Sequence, residues 1–101
     1  MENLLEETKY ELRLCHKTPK DVLWVGIRDG SEAITWEEFE KMADFEYDEG
    51  YGQIEIRPDL VVVGKGWWLE RHENDGEEWW WYNEQPKLLK NHKVLDKLSE
   101  V

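Results

Sequence analysis

The side chains with most chemistry to offer are a glutamate and a histidine two residues apart, Glu70 and His72, in the stretch WWLERHE at 67–73. Alternate side chains of a strand share a face, so these two could form an acid–base couple or supply two ligands to a metal ion. Little around them supports either role. Glu73 points to the opposite face, and a Glu–His pair on a strand is ordinarily a surface ion pair. The other histidines, His16 and His92, lie on separate segments, and no histidine stands at metal-ligand spacing with another or with Cys15. Cys15, the single cysteine, falls on the apolar stripe of a helix and is expected to be a small buried hydrophobe. Gly64-Lys65-Gly66 is too short to cradle a phosphate and leads into a strand rather than a helix. We therefore expect no catalytic residues, no metal and no cofactor. A small metal-dependent enzyme centred on Glu70 and His72 is the least favoured reading.

The elements that must position these residues are those of one small domain. A chain of 101 residues can bury one modest core, and its 13 % aromatic content is too high for a disordered chain. One cysteine excludes an internal disulfide framework. No leader-like apolar run opens the chain and no apolar stretch approaches the length of a membrane span, so we expect a cytoplasmic protein. The net charge of −11 repels nucleic acid and anionic membranes and favours a cationic partner.

Residues 2–17 read as an amphipathic helix with Leu5, Thr8, Leu12 and Cys15 on one stripe, acids toward its start and bases toward its end. Thr18-Pro19 stops it. DVLWVGI (21–27) reads as a strand, Asp29-Gly30 as a turn, and Ala33-Ile34 as a short returning strand. Thr35 with Glu38 forms a capping box for a helix over 36–44. Residues 45–53 read as a loop. Three strands follow over 59–83, joined by Gly64-Lys65-Gly66 and by Asp75-Gly76, the latter a strong hairpin signal. The tail from 84 is either a docked helix with a stripe at Leu88, His92, Leu95 and Leu98, or frayed. The fold class is α+β: a small antiparallel sheet of three to five strands with two or three helices.

Five of the seven tryptophans crowd into residues 67–83. With Asp75 and Gly76 as a two-residue loop, Asn74 faces Glu77, His72 faces Trp79, Arg71 faces Trp80, Glu70 faces Trp81 and Leu69 faces Tyr82. A three-residue loop at 64–66 sets Val63 opposite Trp67 and Val61 opposite Leu69. One face then carries Val61, Val63, Trp67, Leu69, Trp80 and Tyr82, with Arg71 near its edge, and is the core. The other carries Val62, Trp68, Glu70, His72, Trp79 and Trp81. Either a helix such as the N-terminal one covers this second face, or part of it stays exposed as an aromatic binding patch.

Between Asp29 and Asp59, eleven acids stand against two bases, which concentrates a charge of −9 in one segment. Such a run is either a solvated face or an imitation of the spaced charge of a nucleic-acid backbone, offered to a basic groove. Its glycine and acids do not fit a calcium loop. Glu46, Asp48 and Glu49 are its candidate binding residues, beside Trp68, Glu70, His72, Trp79 and Trp81 on the strands.

The stretches DVLWVG (21–26), DFEYDEGYG (44–52) and DLVVVGKGWWLERHENDGEEWW (59–80) resemble a group of small proteins encoded in phages and prophages of Gram-positive bacteria. In that group serine commonly stands where Glu77 is here. The resemblance spans roughly residues 21–82 and is weaker in the N-terminal helix and the tail. It implies origin, with no assigned catalytic residues. Small acidic phage proteins often inhibit host defence or nucleic-acid-handling proteins stoichiometrically, anti-CRISPR proteins among them, and by that analogy we expect a non-enzymatic inhibitor of a basic host protein. The alternative is a phage assembly accessory that oligomerises, for instance as a homodimer, through its tryptophan-rich face.

Overall fold

The computed structural model describes residues 1–50 and 52–100. The loop expected over 45–53 contains Tyr51, which lies outside the described residues.

Helix α1 spans Leu4–Leu14, shorter at both ends than the sequence suggests. It starts where the Asn3 side chain accepts from the Glu6 N–H at 3.0 Å, satisfying one of the free donors of the first turn. The two residues before it, Glu2–Asn3, are strand β1, paired antiparallel with β4 (Glu46–Tyr47) inside the expected loop. Leu4, Leu5, Thr8 and Leu12 are buried. Cys15 departs from expectation: it caps the helix C-terminus and is only half-buried, because α1 ends one residue before it.

A short 3-10 turn at Pro19–Asp21 leads into β2 (Val22–Ile27), which pairs with β3 (Ala33–Ile34). Helix α2 (Trp36–Met42) carries the expected capping box, with the Thr35 hydroxyl accepting from the Glu38 N–H at 3.1 Å and the Glu38 carboxylate from the Thr35 N–H at 2.9 Å. Strands β5 (Leu60–Gly64), β6 (Trp67–Asn74) and β7 (Glu77–Glu84) complete a five-stranded antiparallel sheet in the order β3-β2-β5-β6-β7. The fold is α+β, as the sequence indicates.

The β6–β7 register is the one read from the sequence, from Asn74↔Glu77 through Leu69↔Tyr82. Asp75 and Gly76 both take positive φ, 52° and 90°, which is the twist a two-residue hairpin turn requires. The β5–β6 register differs by one residue. Gly64 pairs with Trp67, leaving a two-residue Lys65-Gly66 loop, so Val62 faces Leu69 and Val63 faces Trp68. A one-residue slip exchanges faces. Val62, not Val61 or Val63, therefore belongs to the core face.

That face carries Ile34, Val25, Val62, Leu69 and Tyr82 as one cross-strand row, with Trp67 and Trp80 beside it. Gly64 is there because the Trp67 ring lies against it; a Cβ at Gly64 would stand 2.0 Å from that ring. Both helices pack on this face, Leu4, Leu5 and Leu12 from α1 and Trp36 and Phe39 from α2. The Trp80 indole N–H donates to the Thr8 hydroxyl at 2.9 Å, and Thr8 donates to the Leu4 carbonyl. Beyond β7, residues 85–100 form neither helix nor strand and are exposed throughout. The tail is thus not a docked helix.

Candidate functional site

With both helices on the core face, the opposite face of the sheet has no helix over it. Pairing defines its rows. Trp24, Val63, Trp68 and Asn83 form one, Gly26, Val61, Glu70 and Trp81 the next, and His72 with Trp79 the third. Four tryptophans therefore share one open face, and Trp81 stands half out in solvent at 50 % exposure. The structure brings Trp68, Glu70, His72, Trp79 and Trp81 together as the sequence placed them. It adds Trp24, whose face could not be assigned without the β2–β5 pairing.

Glu70 organises the centre. Its carboxylate accepts from the Trp68 indole N–H at 2.8 Å, meets His72 Nε2 at 2.9 Å and lies 4.0 Å from the Arg28 guanidinium. Burial pushes its carboxyl up, but the hydrogen bonds from Trp68 and His72 and the nearby Arg28 charge outweigh that and hold it below the usual range. It is thus a fixed anion rather than a proton donor. The His72 ring is stacked on Trp81, centroids 5.1 Å apart, with Trp79 at 6.4 Å on a tilt. Beside Glu70, Trp24 and Trp68 flank a shallow slot of about 330 Å³ floored by Val61 and Val63, with Arg28 along its wall. The slot is thus apolar apart from the Glu70 carboxylate and the Arg28 guanidinium that faces it, and suits a side chain with an apolar stem and a polar head.

The three acids picked from the acidic run do not join this face. Glu46 is exposed on β4, opposite Asn3. Asp48 and Glu49 are half-buried rather than free surface charges. Asp48 accepts from the Gly50 N–H, and the Glu49 carbonyl accepts from the Glu78 N–H at 2.9 Å, so both serve the loop that returns to β7.

Sequence reasoning missed a second polar constellation, which is buried on the core face. Arg71 donates to the Tyr47 hydroxyl at 2.9 Å and lies 3.5 Å from Glu7 and 3.6 Å from Glu78, its guanidinium over the Trp80 ring at 4.7 Å. Glu78 in turn accepts from the Glu55 and Ile56 N–H groups, pinning those two residues to the sheet. The signal was present: Arg71, Trp80 and Glu78 share a face in the hairpin register. Tyr47, Arg71 and Glu78 are buried and Glu7 is half-buried, and together they tie α1, β4 and residues 55–56 to the sheet, which is structural work.

Glu7 gives this network a pH signature. Burial raises its carboxyl above the ordinary range, against the lowering pull of Tyr47 and Arg71. A raised folded pKa means that the folded state holds the proton more tightly than the unfolded one. Stability from Glu7 is then complete below the unfolded value of about 4.5 and falls as pH rises through the folded pKa. Thermal melts from pH 4 to 7 are expected to show this downward component in the wild type and to lack it in Glu7→Gln. The same slope in both proteins would assign it elsewhere.

Among the described residues, no group of three or more His, Cys, Asp or Glu could hold a metal ion, and no helix is long and apolar enough to cross a membrane. Comparison with protein families, curated proteins and solved structures gives no match.

Proposed function

We propose that this is a non-enzymatic binding protein that grips a basic protein partner with the open tryptophan face and attracts it through its acidic charge. One observation carries the reading: four tryptophans and a fixed carboxylate lie on a sheet face that no helix covers. A contiguous apolar patch of this kind marks a contact surface, and tryptophan is the residue most enriched where binding energy concentrates. The net charge of −11 selects the partner's sign. The resemblance to phage and prophage proteins supports a nucleic-acid-handling or defence protein of the host cytoplasm as the partner, with inhibition by occupation of its basic groove.

The test is affinity capture from host lysate at low and high salt, read by mass spectrometry, with Trp81→Ala as control. The expected result is a basic protein retained by the wild type, weakened by salt and lost with Trp81→Ala. Capture indifferent to Trp81 sinks the reading.

Steering by charge is separable from grip. Glu32, on the turn before β3, and Glu77, on the tryptophan face, are both exposed. The double variant Glu32→Gln, Glu77→Gln is expected to slow association severalfold and flatten its salt dependence, leaving dissociation and melting temperature nearly unchanged, because exposed charges contribute only about 0–1 kcal/mol to stability. Stopped-flow binding across ionic strength checks it. An unchanged on-rate would leave these charges as aids to solubility.

A further inference from the structure

We propose that the lysine-rich C-terminal segment, residues 87–100, docks on the tryptophan face of a second copy, and that two chains exchange these segments to close a symmetric dimer. The proposal rests on the reading above only in taking that face as a contact surface.

The tail segment and the tryptophan face are both uncovered apolar surfaces among the described residues. On the segment, Leu88, Leu89, Val94, Leu95 and Leu98 are 70–92 % exposed. Interleaved with them are Lys87, Lys90, Lys93 and Lys97 against only Asp96 and Glu100, a net +2 on a chain whose remainder carries −13. The tryptophan face offers indole rings and the Glu70 carboxylate to such a segment: aliphatic stems and leucines against the rings, ammonium groups over ring faces or beside the carboxylate. The fold already uses this chemistry, with Lys17 Nζ 5.6 Å from the Trp67 ring centroid and the Arg71 guanidinium over Trp80.

Geometry points to a second copy rather than to the same one. The segment is tethered where the Gln85 N–H donates to the Gly66 carbonyl at 2.7 Å, beside the β5–β6 turn, and is exposed from there on. The radius of gyration is 16.6 Å, against about 13 Å for a compact domain of this length. Fourteen residues can extend roughly 45 Å, enough to cross a neighbouring sheet. Segment and face together contribute about two dozen residues from each copy, within the roughly 20–30 a side of a stable interface. Because each copy gives the segment and receives it, the contact is self-complementary and closes at two.

Sedimentation equilibrium of the full chain over micromolar to hundreds of micromolar concentrations, with acrylamide quenching of tryptophan fluorescence, decides it. The expected result is a concentration-dependent species of twice the 12.2 kDa chain mass. Leu88→Ser, Leu95→Ser, Leu98→Ser together should weaken it at least about tenfold and raise quenching, and Trp81→Ala should weaken it comparably. Reversing the four lysines to glutamate should have the same effect. A wild-type monomer at every concentration overturns the proposal, as does a dimer indifferent to the leucine variant, or a leucine variant that is monomeric with unchanged quenching. If the chain is monomeric yet captures a basic protein through Trp81, the dimer alone fails. If Trp81→Ala alters neither mass nor capture, both readings fall.

Discussion

Arg71→Ala is expected to remove about 3–5 kcal/mol of folding stability, the loss typical when one partner of a buried ion pair is deleted. The guanidinium is buried and stands between Glu7 and Glu78, so its loss leaves two carboxylates facing each other without a cation and strips the Tyr47 hydroxyl of a donor. A domain of this size has about 5–15 kcal/mol in all, and each kcal/mol is worth about 4–8 °C of melting temperature. The variant should therefore melt at least 12 °C or so lower. Glu78→Gln should be milder, since its amide oxygen still accepts from one of the Glu55 and Ile56 N–H groups; the two use separate carboxylate oxygens, so the other N–H loses its acceptor. Urea denaturation of the three proteins checks the order. A loss below about 1 kcal/mol for Arg71→Ala would mean that water reaches the site and replaces the cation.

The opposite face should answer in the opposite way. Trp81→Ala is expected to weaken partner binding by roughly 2 kcal/mol, some thirtyfold, mainly through faster dissociation, while stability changes by about 0.5 kcal/mol or less. Its ring is half in solvent and touches the stacked His72 rather than the core. Trp80→Ala, one residue earlier, should cost about 3–5 kcal/mol of stability, because that ring is buried under α1 and bonded to Thr8. Binding kinetics beside thermal melts separate the two. If Trp81→Ala melts as early as Trp80→Ala, the face is part of the core and the binding surface lies elsewhere.

Much of this was legible in the sequence, and the limits have physical causes. Asp75-Gly76 specified a turn type, and a two-residue turn fixes every pairing in β6–β7. Gly64-Lys65-Gly66 did not: glycine at either end of the triplet allows the loop to be two or three residues long. Only the fit of the Trp67 ring against Gly64 and of Val62 into the core selects two. The face of Trp24 depends on β2 pairing with β5, a contact more than thirty residues apart with no local signal. The covering of the sheet is a similar case. The stripe on α1 announced a buried helix face but not which side of the sheet it meets. Asp48 and Glu49 looked like free charge because the backbone bond from the Glu78 N–H to the Glu49 carbonyl, which holds their segment against β7, leaves no trace in composition.

Placing both helices on one side of the sheet separates what holds the chain together from what it presents. Trp24, Trp68, Trp79 and Trp81 lie outside the buried cluster that contains Trp36, Trp67 and Trp80. Substitutions on the open side therefore escape most of the packing constraint that restrains the other, and that surface can diverge over generations while the scaffold stays constant. Exchanging a few residues on four adjacent strands would remake that surface at little risk of misfolding along the way.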